Sequence, residues 1–443
     1  MKRFQLEQSN SEFYTSHAGL ALIGLCLNRF TAITESLVAA IPLRHGISHS
    51  DLIHSYVGQL CQGKSDFEAI ENVRTDCFFK QALGIGHVPS ASRLRQRFDK
   101  DASELLPWMY EAAVEFLAKA EVPVTPLMNG YVVLDIDVFP MNNSGTSKEG
   151  VSRTYKGVDG YAPIAAYFGE EGWCLACELR EGKQHCQNEF LYTLERVLPN
   201  ARKLTSRPIL VRLDSGHDAW ETRVALARHS ADFILKWNPR SQDLDAWLAR
   251  AEELGRWESP REGKRVATFS IEESKTIDGE TFRFRRVMRV VERTIDKHGQ
   301  ALLIPDIEIE GWWTSLGEPE FDDETIIALY CDHGTSEQFH SEFKTDLDIE
   351  RLPSGKFKTN DLIMTLAALA YNILRWIGLL GLIGKHSPVR HRAKRRRLKT
   401  VMQELIYLAA RLIDSGHRLK LRFSRHCPGF DAFRLAYQRL AYR

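Results

Sequence analysis

The chain has 443 residues, 44% of them hydrophobic and 26% charged, an ordinary globular balance that supports several packed units and excludes a disordered or fibrous protein. Eight cysteines (26, 61, 77, 174, 177, 186, 331 and 427) are scattered without a disulfide-like framework, which points to a reducing, cytoplasmic setting. The net charge of +1 is unevenly spread: residues 385–443 hold 16 Lys and Arg against 3 Asp and Glu, so +13 lies there and −12 in the preceding 384 residues.

Residues 1–125 show helical spacing, broken at Gly46-Ile-Ser-His-Ser50 and Gly84-Ile-Gly-His-Val-Pro-Ser-Ala-Ser92. Ala18 to Leu27 follows a basic start, but polar residues 5–17 intervene and no small-residue cleavage site follows, so a buried helix is expected rather than a signal peptide. Ser90 or Ser92 is placed to cap a short basic helix over Leu94-Arg-Gln-Arg-Phe98, which suits either a DNA groove or the surface of a helical bundle. The region is read as a DNA-binding and dimerisation unit.

From Gly130 the apolar period changes to two. Tyr131-Val-Val-Leu-Asp-Ile-Asp137 places Val133, Asp135 and Asp137 on one face of a buried strand. Strands at Tyr161 to Phe168 and Trp173 to Leu179, a helix over Gln187 to Leu198, and a strand Ile209 to Asp214 follow. A helix over Ala219 to His229 and a strand Phe233 to Trp237 complete a βββαβαβ order. That order describes an α/β sheet of mixed direction, with carboxylates along its middle.

The alternation stops between residues 238 and 322, where Arg265 to Trp313 reads as antiparallel strands of an inserted β subdomain. The core, begun at 126–237, resumes over 323–384 with Ile326 to Tyr330, a helix carrying Glu337, and an apolar helix from Asn360 to Gly384. Leu362 to Ile383 is long enough to span a bilayer, yet Asn372 and Arg375 in its middle favour a buried core helix. Residues 385–443 form a basic, helical C-terminal region. Its run Arg390-His-Arg-Ala-Lys-Arg395-Arg396-Arg397-Leu-Lys399 suits phosphate, because neutralising phosphates releases condensed counterions.

The most informative stretch is Tyr330-Cys-Asp-His333-Gly-Thr-Ser-Glu337-Gln-Phe-His-Ser-Glu342-Phe-Lys344. At about 100° per residue, Tyr330, His333, Glu337 and Lys344 fall within roughly 60° of one another, with Phe339 and Phe343 on the opposite, core-facing side. Gly334 interrupts strict helicity. Glu342 projects about 140° from Glu337 and reads as a solvated charge.

Here the chain resembles the bacterial insertion-sequence transposases of the DDE type, in the branch marked by Tyr, two residues, Arg, three residues, Glu, six residues, Lys. Tyr330, Glu337 and Lys344 keep that spacing, with His333 in the Arg position. The resemblance extends through Asp135-Ile-Asp137, Gly157-Val-Asp-Gly-Tyr-Ala-Pro163, Leu179-Arg-Glu-Gly182, Arg212-Leu-Asp-Ser-Gly216, Arg351-Leu-Pro-Ser-Gly355 and Leu366-Ala-Ala-Leu-Ala-Tyr-Asn372. It implies an RNase H-like fold and a catalytic, metal-holding triad of Asp137, Asp214 and Glu337.

Family pattern prefers Asp137 over Asp135, which shares its face. Two Mg²⁺ ions about 3.5 to 4 Å apart, with Mn²⁺ as a substitute, are the implied cofactors, since hard cations take carboxylate, water and phosphate oxygens. Tyr330, His333 and Lys344 are the expected DNA contacts at the signature, and the charge of the basic run adds Arg395, Arg396 and Arg397; a neutral His333 would hold phosphate more weakly than Arg. The implied partners are the terminal inverted repeats, target DNA and a second copy in the synaptic complex, with no membrane and a nucleoid-associated bacterial location. An RNase H-like nuclease or junction resolvase, and a DNA-binding protein that has lost catalysis, are the alternatives. A glycosidase also uses paired carboxylates, but a sugar substrate does not call for the basic tail.

Two further features are ambiguous. Cys174, Cys177, His185 and Cys186 are zinc-competent in type, but a regular strand points 174 and 177 to opposite faces, so buried thiols are expected. Trp312-Trp313 is either a stacking surface for an unstacked base or a core pair.

Overall fold

The computed structural model describes residues 3–416 and 418–442, apart from the side chains of residues 333, 335 and 336. After a short strand β1 (Phe13–Thr15) come α1 (Leu20–Phe30), α2 (Ile33–Ala40), α3 (His49–Leu60), α4 (Cys77–Leu83) and α5 (Ala91–Lys119). Side-chain oxygens of Ser48, Asp76 and Ser90 accept the orphan amides that open α3, α4 and α5. Ser90 is therefore the cap of the basic segment 94–98, but that segment opens a 29-residue helix rather than a short one. Its Leu94 and Phe98 are buried, and Arg97 bonds to Asp101 and His49, so this face packs inward.

The sheet-forming half begins with β2 (Val132–Val138), β3 (Met141–Asn142), β4 (Ser152–Arg153), β5 (Asp159–Tyr161), β6 (Ile164–Phe168) and β7 (Trp173–Glu178). Next are α6 (Phe190–Leu204), β8 (Ile209–Leu213), α7 (Trp220–Arg228), β9 (Asp232–Lys236) and α8 (Leu244–Leu254). Strands β10 (Arg256–Arg261), β11 (Lys264–Ile277), β12 (Glu280–Ile295) and β13 (Ala301–Thr314) follow. The chain ends with α9 (Asp323–Cys331), α10 (Ser336–Ser341), α11 (Phe357–Gly381), α12 (Leu398–Val401), β14 (Ala410–Ser415), β15 (Arg418–Phe423) and α13 (Phe430–Ala441).

Nine strands make one sheet in the order β10-β11-β12-β13-β9-β8-β2-β6-β7. Strand β6 is antiparallel to β2 and β7, whereas β8 runs parallel to β2 and β9 parallel to β8. The five core strands thus have the RNase H-like order, a hairpin on one side of β2 and two parallel strands on the other. Helical crossovers through α6 and α7 supply the parallel pairings. Strands β10 to β13 continue this sheet rather than standing apart: β13 pairs with β9, Trp312 opposite Lys236 and Thr314 opposite Ile234.

Helix α11 is long and apolar enough to cross a membrane, but 94% of its most apolar window is buried within the protein. Its polar residues have partners on neighbouring elements. The Asn372 amide accepts from Cys174 N–H at 2.9 Å and donates to Cys174 C=O at 2.8 Å, fixing α11 to β7. Arg375 pairs with the buried Glu342. Helices α1 and α2 pass the same length and composition test only as a pair bent by 55°, and most of α1 is buried.

The C-terminal region departs from the helical expectation. Strands β14 and β15 form a hairpin that pairs with β1, bringing Leu412 opposite both Phe13 and Leu421. Leu419, Leu421 and Phe423 alternate with Arg418, Lys420 and Arg422, so the charge that marks this tail masks a period of two.

Candidate active site

Strand β2 carries Asp135-Ile-Asp137 near its end, and β8 closes with Arg212-Leu213 just before Asp214; the strands pair in register, Asp135 opposite Arg212 and Ile136 opposite Leu213. Asp137 and Asp214 each follow the last paired residues of this register, so both carboxylates leave the same end of two neighbouring parallel strands. The triplets have opposite fates at their two ends. Asp135 receives Arg212 Nε at 2.6 Å and Nη2 at 2.8 Å, with both side chains buried. Arg212 Nη1 also donates to Leu329 C=O at 2.8 Å, tying the pair to α9. Both carboxylate oxygens of Asp135 are thus taken up by Arg212.

Asp137 and Asp214 reach solvent. The Asp137 side chain is 29% exposed, and Asp214 is an exposed residue. Each is oriented by the amide that follows it: Val138 N–H donates to Asp137 Oδ1 at 2.7 Å, and Ser215 N–H donates to Asp214 Oδ1 at 2.7 Å. Two phenols feel both carboxylates. Burial raises the Tyr330 hydroxyl well above its ordinary value, with Asp214, Asp137 and Asp135 adding to the shift. Tyr155 is pushed up to about 12, by burial of its hydroxyl and then by Asp137 and Asp214. Its ring is exposed while its hydroxyl donates to Val138 C=O at 3.4 Å.

Glu337 lies on α10, a helix of six residues. One turn later on the same helix, His340 brings Nδ1 to 4.0 Å from Asp137 Oδ2 and stacks on Phe139 with ring centroids 4.5 Å apart. A residue three positions earlier on a helix lies on nearly the same face, so Glu337 is on the Asp137 side of α10. Glu337 is exposed there. Among the described residues, no three His, Cys, Asp or Glu side chains already stand close enough to hold one ion.

The helical projection from Tyr330 to Lys344 does not survive intact. A 3-10 turn over Asp332–Thr335 precedes α10, and a π-helical turn over Glu342–Asp346 follows it. Phe339 and Phe343 are buried, as expected. Lys344 donates to Pro140 C=O and lies 3.5 Å from Glu350, next to the end of β2. The side chain of His333 lies outside the described residues. Glu342 is a correction: it is fully buried rather than solvated, because the side of the helix facing away from the cleft faces the core and Arg375. Burial pushes its carboxyl up.

The three consecutive arginines of the tail turn onto the protein. Arg395 donates to Glu170 C=O at 2.9 Å, Arg396 Nε donates to Leu382 C=O at 3.2 Å, and Arg397 grips Asp346. Cys174 and Cys177 are buried thiols whose pKa values burial raises. The register shifts between Ala166 and Tyr167, leaving Tyr167 opposite Cys174 and Ala165 opposite Cys177, so strict alternation does not apply. Cys186 instead donates to Gly216 C=O at 2.9 Å. Trp312 and Trp313 are both buried, Trp313 with Arg223 3.9 Å from its ring centroid.

Sequence reasoning missed the Arg212 partner of Asp135 and the position of His340. The first has a visible signal in the matching triplets, the second in its three-residue spacing from Glu337.

The family model described as "Transposase DDE domain group 1" matches residues 7–443. Solved structures that are similar include a piggyBac transposase synaptic complex with hairpin DNA, determined by cryo-EM. It is 9% identical, with a TM-score of 0.38 over 82% of this chain and 77% of that chain. Among curated proteins, none matches the chain.

Proposed function

Because the chain belongs to the DDE transposases of domain group 1 and so is a DNA transposase, we propose that Asp137, Asp214 and Glu337 are the carboxylates with which it cuts DNA. The substrate is the pair of terminal inverted repeats of a bacterial insertion sequence. The freed 3′ ends are then joined to target DNA, in a cut-and-paste reaction. Two ends must be held at once, which calls for a homodimer in the synaptic complex and places the work at the nucleoid.

The observation that supports this reading is the register of β2 and β8, in which Asp137 and Asp214 directly follow the last paired residues, Ile136 and Leu213, at one end of the two central strands. The donor chemistry fits a hard divalent cation. Both groups are oxygen ligands reached by solvent, and each already has one oxygen turned to its own following amide. Glu337, on the Asp137 side of α10, completes the set, and Mg²⁺ or Mn²⁺ fits such a set with water and phosphate oxygens in the remaining positions. When bound, two such ions activate the attacking water and stabilise the leaving oxygen.

The chain's own residues provide orientation and charge. Arg212 neutralises Asp135, so the acidic cluster at the strand ends is limited to the working carboxylates. Lys344 and Tyr330 border the same cleft and contact the scissile phosphate, with His333 in the position of the family's Arg. In the basic run, the exposed Arg390, Arg392 and Lys394 face the DNA backbone, and Arg395, Arg396 and Arg397 support that segment from beneath.

The test is cleavage of a DNA carrying the element's own ends, in Mg²⁺, by wild type and by Asp214→Asn. Retained end binding with cleavage below detection is the expected result. Equal cutting by the two proteins overturns the proposal.

A further inference from the structure

Helix α10, which carries Glu337, has only six residues, between a 3-10 turn and a π-helical turn. A helix this short does not persist on its own hydrogen bonds. It sits inside a helical run from Asp323 to Asp346 that passes through these turns, and side chains from outside grip the C-terminal part of that run.

Three grips come from the C-terminal side of the chain. Arg397 Nε donates to the Asp346 carboxylate at 2.9 and 3.2 Å, and its Nη2 donates to Ser341 Oγ at 3.0 Å, Thr345 Oγ1 at 2.9 Å and Asp346 Oδ1 at 3.0 Å. Lys399 N–H adds a further bond to Asp346 Oδ2 at 3.0 Å. Arg395 lies with its guanidinium 4.6 Å from the Phe339 ring centroid, on α10 itself. Between them, the carbonyl of Arg396 accepts from Arg375 Nη1 at 2.7 Å, while Arg375 Nη2 holds Glu342.

Such a geometry does not suit arginines reserved for DNA. The Nε–Nη2 edge of Arg397 is engaged by the segment 341–346, whose Asp346 carboxylate is almost wholly buried, while the rest of the side chain stays 41% exposed. Two parallel bonds to one carboxylate fix orientation as well as distance.

We propose that residues 395–397 are a strap that positions Glu337, and that Arg397 is a positioning residue for DNA cleavage. This rests on the reading of Glu337 as a working carboxylate. The strap also joins two parts of the protein, the basic segment offered to DNA and the helix that completes the site.

The experiment compares wild type, Arg397→Gln, Arg397→Lys and Glu337→Gln in three measurements. These are hydrogen exchange of the metal-free protein, affinity for the inverted-repeat ends, and the single-turnover cleavage rate at saturating DNA across a Mg²⁺ titration. For Arg397→Gln we expect faster exchange over 336–346 with α11 unchanged, end affinity within about twofold of wild type, and cleavage lower by about 10²-fold, the scale of a misplaced reacting group. Half-saturation should move to higher Mg²⁺. Arg397→Lys, which keeps the charge but not the fork, should recover only part of the rate.

Unchanged exchange over 336–346 in Arg397→Gln overturns the strap, whatever its cleavage rate. So does a loss of end affinity with a wild-type rate at saturation, which makes Arg397 a phosphate ligand. If Glu337→Gln cuts as fast as wild type, it is the reading of Glu337 that fails.

Discussion

Asp135 and Arg212 face each other in register on neighbouring parallel strands and form a two-bonded, buried ion pair, two residues before Asp137 and Asp214. Removing one partner of such a pair leaves the other charged and buried, which costs about 3 to 5 kcal/mol. Asp135→Asn is therefore expected to lower unfolding stability by that amount, whereas Asp137→Asn leaves stability nearly unchanged and abolishes end cleavage. Urea unfolding and a cleavage assay on the same two proteins check both halves.

The loop after Asp214 carries a second buried group, His217, whose ring is tilted by 33° against Phe190 with centroids 4.0 Å apart. Burial, and after it Arg180 and His185, lowers its pKa to about 3. Between that value and about 6.5 the unfolded chain binds the proton and the folded one does not. Stability from this group is thus present above pH 6.5 and is lost as pH falls, by about 2 kcal/mol on reaching pH 5. His217→Gln removes the titration. Unfolding free energies at pH 7.5 and pH 5 should differ less in the variant than in wild type by roughly that amount.

What the sequence made legible was local. Period-two alternation located β2 and β8, and the spacing from Tyr330 to Lys344 located the helix of Glu337. What it could not give were partners distant in sequence. Alternation puts Asp135 and Asp137 on one face and cannot separate them; the cross-strand Arg212, 77 residues away, does. Glu342 and Arg375 each look anomalous alone, one on a surface-like helix and one in an apolar run, and only their pairing explains both. The tail shows the same limit, since a charge count gives the sign of residues 395–397 but not the direction in which they point.

Tyr155 stands at the rim of the cleft with its ring exposed and its hydroxyl turned toward Val138, near both Asp137 and Asp214. Lys156 lies 5.9 Å from the ring centroid, so an aromatic face and a cation are offered together. An exposed ring at that place suits an unpaired base beside the cut, where stacking contributes about 1 to 3 kcal/mol. Tyr155→Ala is expected to weaken binding of nicked or frayed ends by about five- to 150-fold, while Tyr155→Phe stays close to wild type. Fluorescence anisotropy on intact and frayed end duplexes measures the difference.

The two classes of arginine in the basic run differ in how they respond to salt. Each phosphate neutralised on duplex DNA contributes about −0.9 to the slope of log affinity against log salt. Arg390 and Arg392 are exposed, whereas the Nε–Nη2 edge of Arg397 bonds to Asp346, Ser341 and Thr345. Replacing Arg390 and Arg392 together by Gln should flatten the slope by about 2. Arg397→Gln should leave it unchanged, even though the formal charge lost per residue is the same. Affinities for the inverted-repeat ends between about 50 and 200 mM salt provide the measurement. A flattened slope in Arg397→Gln means that the fork leaves Asp346 for phosphate when DNA binds, and an unchanged one means that it stays on the helix of Glu337.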